Sequence, residues 1–119
     1  MERQIRPSVL QSCTYRVRTH SGNMYVTIGY IQKRTPFEVF VNLGKAGGCE
    51  SAWIEALSRT ISNSLRYGVP APIFVEQLKG ISCLPISDGS TFIHSPADGI
   101  ALALQDFMAG HTNDDTKAA

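Results

Sequence analysis

The feature that most constrains the fold is a change of hydrophobic period near residue 50. Before that point, three segments are rich in β-branched and aromatic residues and alternate between apolar and polar positions, which is typical of half-buried β-strands. After it, apolar residues recur at helical spacing. Strands followed by helices predict an α+β domain with an antiparallel sheet, rather than alternating βαβ units.

The three predicted strands cover residues 12–19, 24–31 and 37–43. The first two flank Ser21-Gly22-Asn23, which favour a tight turn, so together they predict a hairpin. A polar turn at residues 32–36 leads into the third strand. We therefore predict a three-stranded or slightly larger antiparallel sheet, with about three helices packed on one face.

The first predicted helix covers residues 50–67. Gly68 follows where a left-handed residue commonly ends a helix, and Pro70 prevents continuation. Apolar residues at four-residue spacing define the side that we expect to face the core: Trp53, Leu57, Ile61 and Leu65, with Ala56 and Thr60 filling the stripe.

Two shorter helices follow. The first covers residues 71–79, and we expect residues 87–91 to form a loop, with a short strand or a loop as the connection between the last two helices. The second covers residues 96–108, because Ser95-Pro96-Ala97-Asp98 combines a capping serine, a proline at the first helical position and an acid at the third. The domain is expected to span residues 11–109, with a flexible arm at 1–10 and a disordered tail at 110–119.

A glycine-rich segment, NLGKAGGCE at residues 42–50, joins the last predicted strand to the first helix. Glycines let backbone amides approach a ligand, and the beginning of a helix attracts anions. The lysine precedes the final glycines, so this is not a Walker A loop. The predicted ligand-binding residues are Lys45, Ala46, Gly47, Gly48 and Cys49, with Arg59 as a second cation. A plain strand-to-helix turn, and a surface ion pair between Glu55 and Arg59, are the alternatives.

The net charge of +1 gives no general attraction to nucleic acid or to a membrane. Basic residues are concentrated before residue 35 and acidic ones after residue 84, which is consistent with an anion-facing surface, a contact between subunits or a solvated face. Nucleic acid would need the aromatic and basic residues of the sheet. These are Tyr15, Arg16, Arg18, Tyr25, Tyr30, Lys33 and Arg34.

Catalytic and metal-binding patterns are weak. The three cysteines, Cys13, Cys49 and Cys83, are widely spaced, which favours reduced thiols over disulfides and gives no diagnostic zinc spacing. His94, Ser95 and Asp98 include the residue types of a catalytic triad, but the helix cap explains them better. We therefore expect no enzyme activity, cofactor or metal. Without a signal peptide or a membrane-spanning run, a cytoplasmic location is predicted, in the host cytoplasm if the protein is viral.

Several blocks of the sequence resemble the TSCPD domain: YRVRT, SGNMYVTI, PFEVFVNLGKAGG, EALSRTISNSLRYGVP, EQLKGISC and SPADGIALAL. That domain occurs at the C-terminus of adenosylcobalamin-dependent (class II) ribonucleotide reductases and as free-standing small proteins. The resemblance covers residues 12–104. It implies an accessory or ligand-binding module, because the radical-site cysteine, the barrel and the cobalamin-binding segment of a reductase do not fit in this length.

The chain departs from that family at its cysteines. Where the family has Thr-Ser-Cys-Pro-Asp, residues 94–98 read His-Ser-Pro-Ala-Asp. Cys49 and Cys83 fall at equivalents of two of the four cysteines in one subfamily, and Cys13 is shifted by one place. The resemblance therefore does not imply an inherited metal site.

These observations lead to the hypothesis of a non-catalytic domain that binds, and sequesters, a phosphorylated nucleotide or nucleotide-derived signal, as some viral proteins do against nucleotide-based immune signals. A shallow site on a small domain gains depth by assembly, so a homo-oligomer is expected. The alternatives are an accessory protein-interaction module of a ribonucleotide reductase and a zinc-stabilised nucleic-acid-binding domain.

Overall fold

The computed structural model describes residues 2–43 and 48–110. In chain order, the elements are strands β1 (Gln11–Thr19) and β2 (Gly22–Ile31), a 3-10 turn (Gln32–Arg34), strand β3 (Thr35–Leu43), helices α1 (Gly48–Arg66) and α2 (Ala71–Leu78), strands β4 (Ile86–Asp88) and β5 (Thr91–Ile93), and helix α3 (Pro96–Met108). This is an α+β fold with a three-stranded antiparallel sheet, three helices and a small hairpin, which confirms the predicted class.

The main sheet has the strand order β1-β2-β3, with both pairs antiparallel. The β1–β2 turn is tighter than predicted, because Thr19 already pairs with Gly22 and only two residues connect them. Thr19 Oγ1 donates a hydrogen bond to the Gly22 carbonyl (2.8 Å) and accepts one from the Ser21 amide (3.2 Å). Gly22 has a φ of 107°, a conformation that glycine adopts without strain.

The core lies between one side of this sheet and helices α1 and α3. Its fully buried side chains include Met24, Val26 and Ile28 from β2 and Ile100, Leu104 and Phe107 from α3. Gly99 allows α3 to approach the sheet closely, since a Cβ atom there would lie 2.8 Å from Val17 Cγ1 and 2.9 Å from Met24 Cε. The glycine is therefore required by packing, not by backbone conformation.

Helix α1 covers the outer edge of β3. Ser62 Oγ accepts a hydrogen bond from the Val39 amide (2.8 Å) and donates one to the Val39 carbonyl (2.9 Å). One serine of the helix thus satisfies both edge-facing backbone groups of Val39, which a further strand would otherwise pair.

The predicted buried side of α1 is wrong in its first half. The buried residues are Ile54, Ser58, Ile61 and Leu65, whereas Trp53 is 75% exposed. Ala56 and Thr60 are also exposed and Leu57 is only half buried. The reason is geometric: at 3.6 residues per turn, each four-residue step rotates about 40°, so Trp53 and Leu65 differ by roughly 120° around the axis.

The ends of the other helices follow the sequence closely. Ser95 Oγ accepts a hydrogen bond from the Asp98 amide (3.1 Å) and Pro96 is the first residue of α3, which confirms the predicted cap. Helix α2 ends one residue earlier than predicted. None of the described helices is long and apolar enough to cross a membrane.

The loop predicted at residues 87–91 is instead part of a hairpin. Strands β4 and β5 pair from Ile86 with Ile93 to Asp88 with Thr91. Gly89, with a φ of 65°, allows the tight turn between them. Strands of three residues are too short to show a reliable period in the sequence.

Residues 2–10 have no regular secondary structure, but two contacts hold them against the domain. The Gln4 amide donates to the Arg66 carbonyl (2.8 Å). The Arg6 guanidinium binds both carboxylate oxygens of Glu38, at 2.8 and 3.1 Å, and Glu38 raises the pKa of Arg6 above its ordinary value. The tail at residues 111–119 lies outside the described residues, and the domain boundaries stay predictions.

Candidate functional site

An apolar groove of about 420 Å³ lies between the first turns of α1 and α3, and we call it the Trp53 groove. Helix α1 contributes one wall and α3 the other, and the segment after α2 closes one end. The lining residues are Glu50, Trp53, Ile54, Ile81, Ser95, Pro96 and Ala97. Only Glu50 among them is ionisable, so the groove offers apolar surface with a single charged group.

Trp53 is the most unusual residue of the groove. Tryptophan is highly buried on average, yet this side chain is 75% exposed. An indole exposed to this extent is available to stack on a nucleobase. The sequence pattern predicted that Trp53 faces the core. A helical wheel with the true period of 3.6 residues per turn places it at the edge of the buried side of α1 instead.

The predicted glycine-rich site is only partly described. Lys45, Ala46 and Gly47 lie outside the described residues. Gly48 and Cys49 are exposed at the beginning of α1, and Gly48 has a φ of 82°, which favours glycine at that position. The first amides of α1 lack intrahelical acceptors, so this end of the groove carries the positive end of the helix dipole.

Helix α3 offers few free backbone donors at its beginning. The Asp98 amide is taken by the Ser95 hydroxyl, and Pro96 has no N–H group. An anion in the Trp53 groove would therefore find few amide donors on the α3 side.

A buried carboxyl group fixes the α3 wall of the groove. Asp98 is only 2% exposed; its Oδ1 accepts from the Gly80 amide (2.8 Å) and its Oδ2 from the His94 amide (2.9 Å). Ser95 Oγ also donates to the Ile81 carbonyl (2.6 Å). These bonds join the segment after α2 to the first turn of α3. They therefore fix the α3 wall relative to the segment at the end of the groove.

The same contacts explain the triad-like residues. Ser95 Oγ serves the Asp98 amide and the Ile81 carbonyl, while His94 Nδ1 lies 3.3 Å from Asp98 Oδ2. The serine therefore acts as a helix cap, as predicted, and Asp98 orders the segment before it.

The β1–β2 turn supports the beginning of α1. Ser21 Oγ donates a hydrogen bond to Glu50, and His20 Nε2 lies 3.4 Å from Glu50 Oε2. His20 Nδ1 and Ser51 Oγ are buried polar atoms without a hydrogen-bond partner within residues 2–43 and 48–110. Glu50 is thus tied to the turn, although its side chain still lines the groove.

Arg59 is not close to the beginning of α1. It follows Gly48 by eleven residues of helix, or about 16 Å. Its Nη2 lies 2.8 Å from Glu55 Oε2, as the ion-pair alternative anticipated, and both side chains are mostly exposed. The structure therefore does not bring Arg59 to the same phosphate as the glycine-rich segment.

The cysteines do not form a cluster. Cys13 is half buried, Cys49 and Cys83 are exposed, and all three are free thiols. Across the described part of the chain, no three His, Cys, Asp or Glu side chains lie close enough together to hold a metal ion. The zinc-stabilised alternative therefore has no ligand set among these residues.

Comparison with known proteins gives one match. A family model of the TSCPD domain matches residues 1–108, which is nearly the whole chain and confirms the resemblance seen in the sequence blocks. No curated protein and no solved structure matches significantly.

Proposed function

The chain belongs to the TSCPD domain family, and we propose that it is a non-catalytic domain that binds a phosphorylated nucleotide or nucleotide-derived signal in the Trp53 groove. The observation that carries this proposal is the exposed Trp53 side chain in the second turn of α1, close to the beginning of the helix, where the first amides have no intrahelical acceptor. A nucleotide has the two matching parts: a planar base for the ring and an anion for the helix end.

The charge of Glu50 sets the orientation of the ligand. Its carboxylate lines the groove and repels a phosphate, so the phosphate belongs on the side of Gly48 at the beginning of α1. Lys45, three residues earlier in the sequence, is the counter-charge of this proposal. The base then lies on Trp53. A carboxylate between the two is well placed to accept a hydrogen bond from a ribose hydroxyl.

The lack of catalytic function in this proposal follows from the composition of the groove. Glu50 is its one ionisable lining residue, and the Ser95 hydroxyl is engaged by backbone groups. A protein that binds a nucleotide signal without converting it lowers the free concentration of that signal. We therefore propose sequestration in the cytoplasm as the biological role, with assembly into a homo-oligomer to deepen the site.

The test uses the fluorescence of Trp53, which is the only tryptophan of the chain. We expect mono-, di- or cyclic nucleotides to quench it saturably, and the melting temperature to rise with ligand concentration. Trp53→Ala should raise the Kd about 10- to 100-fold, because stacking contributes about 1–3 kcal/mol per base. The affinity of this variant is measured by calorimetry.

Tyr25→Ala is the matched control, since Tyr25 is a partly exposed aromatic residue on the opposite side of the sheet. It should bind nucleotides like the original chain. The proposal is wrong if no nucleotide quenches the fluorescence, or if Trp53→Ala binds as tightly as Tyr25→Ala.

A second candidate is the accessory interaction module, and the open side of the sheet favours it. Tyr25 and Phe40 are 40% and 54% exposed there, beside the exposed Arg16 and Arg18. Exposed aromatic and arginine residues are enriched in protein interfaces. Gel filtration with a ribonucleotide reductase subunit tests it: Phe40→Asp should abolish co-elution, and Trp53→Ala should not affect it.

A further inference from the structure

Three arginines surround a second cleft, of about 250 Å³, on the other flank of α1. Arg3 comes from the N-terminal arm, and Arg59 and Arg66 come from the helix. We call it the arginine cleft; its remaining lining residues are Val39, Phe40, Ser58, Ser62 and Asn63. No acidic residue is among its lining residues, and Glu55, the partner of Arg59, lies beside it, so the cleft has an excess of positive charge.

Two of these arginines are held in place by the fold. The Arg66 guanidinium lies 5.3 Å from the centre of the buried Phe37 ring, within the range of a cation–π contact. The Gln4 amide donates to the Arg66 carbonyl (2.8 Å), which places the neighbouring Arg3 at the same end of α1. The Arg66 guanidinium is therefore positioned before any ligand arrives, and the backbone of Arg3 is held near it.

Their hydrogen-bonding capacity is largely unused. Arg66 Nε is buried and has no partner within the described part of the chain, an arrangement that is costly for a charged group. Arg59 is paired with Glu55, but the arginine is 79% exposed, where such a pair is weak and easily exchanged.

The hydroxyl groups of the cleft are already occupied. Ser58 Oγ donates to the Glu55 carbonyl, and Ser62 Oγ binds both backbone groups of Val39. The donors left for a ligand are therefore the guanidinium groups and the Asn63 amide. Guanidinium donors suit the several oxygens of a phosphoryl group, which they bind in pairs.

We propose that the arginine cleft is a second anion site that binds a phosphate monoester or a diphosphate group. Its volume is below the range of 300–1,000 Å³ that is common for whole small-molecule ligands, so it suits the charged group alone. Trp53 and Ser62 are nine residues apart, which means about 180° around α1 and ~13 Å along it. The cleft is therefore distinct from the Trp53 groove.

A purely structural role for these arginines is the competing explanation. Arg66 is in the last turn of α1 and Arg3 is nearby, so both complement the negative end of the helix dipole. That role does not involve Arg59, which lies two turns earlier. The effect of replacing Arg59 consequently separates the two explanations.

Inorganic pyrophosphate is the probe, titrated at low salt and followed by calorimetry and by the NMR signal of the Arg66 Nε–H group. We expect saturable binding that shifts this signal. Arg59→Gln, at a side chain too exposed to affect folding, should raise the Kd about tenfold, as the loss of one charge-assisted hydrogen bond does. Arg66→Gln should have a similar effect. Arg18→Gln, at an exposed position of β1, is the matched control and should bind pyrophosphate like the original chain.

The proposal is overturned if the Arg66 Nε–H signal does not move, or if Arg59→Gln and Arg18→Gln bind pyrophosphate equally. Neither result affects the nucleotide proposal, because quenching of Trp53 is read at the other flank of the helix. Conversely, an absence of quenching leaves the pyrophosphate titration interpretable.

Discussion

The two flanks of α1 differ in chemistry although they belong to one helix. The flank that faces α3 presents an exposed tryptophan, apolar neighbours and one carboxylate. The flank that faces β3 and the N-terminal arm presents three guanidinium groups, of which only Arg59 has an acidic partner, Glu55. The first suits a planar, uncharged group and the second a compact anion. A single helix can thus carry two recognition surfaces when only a narrow stripe of it is needed for the core.

The largest effect on stability is expected from Asp98→Ala, because the flank of α1 that faces α3 depends on this buried carboxylate for its support. This substitution leaves the partly buried amide groups of Gly80 and His94 without their acceptor. We expect a loss of about 3 kcal/mol in the free energy of unfolding, measured by urea denaturation. Ser95→Ala, which removes only the hydroxyl, should cost about 1–2 kcal/mol. Equal losses in the two variants would contradict the central place of Asp98.

An intermediate effect is expected from Arg6→Ala. This variant tests whether the N-terminal arm supports one flank of α1 and not the other. The change leaves the largely buried Glu38 carboxylate without its cation, so the midpoint of urea denaturation should move to a lower concentration. The arm also carries Arg3, and pyrophosphate affinity should therefore fall several-fold. Nucleotide quenching of Trp53 should not change. An equal loss of affinity for pyrophosphate and for nucleotides would contradict the claim that the N-terminal arm contributes only to the arginine cleft.

The smallest effect is expected from Glu55→Gln. This change removes the exposed partner of Arg59 without altering the shape of the helix. Pyrophosphate should bind about two- to fourfold more tightly, since the pair contributes less than about 1 kcal/mol. Glu76→Gln, at an exposed position of α2, is the matched control and should leave the pyrophosphate affinity unchanged. An unchanged affinity in Glu55→Gln, measured by calorimetry, would show that Arg59 does not contact the anion.

Local signals explain how much of the fold could be predicted. The strands, the α3 cap and the end of α1 at Gly68 each depend on neighbouring residues, and the structure confirms them. The side of α1 that faces the core was predicted wrongly, because a strict four-residue spacing drifts around a helix of 3.6 residues per turn. The burial of Glu38 could not be predicted either, since its partner Arg6 is 32 residues away.

The candidate sites could be predicted even less than the fold, because they combine residues that are far apart in the sequence. The glycine-rich segment was visible in the sequence because its residues are consecutive, and its role stays a prediction. The Trp53 groove combines residues 50–54 with residues 81 and 95–97, and the arginine cleft joins residue 3 to residues 39–66. Such combinations exist only after the chain has folded, so composition and spacing do not reveal them.

The two hydrogen bonds between Ser62 and Val39 also bear on how copies of this chain can associate. They occupy the outer backbone groups of Val39 in the middle of β3, so a partner that continues the sheet is expected beside β1 instead. Two copies joined in this manner would each present a closed border outward. Association by strand addition would then stop at a symmetric pair, which protects the chain from open-ended fibre growth.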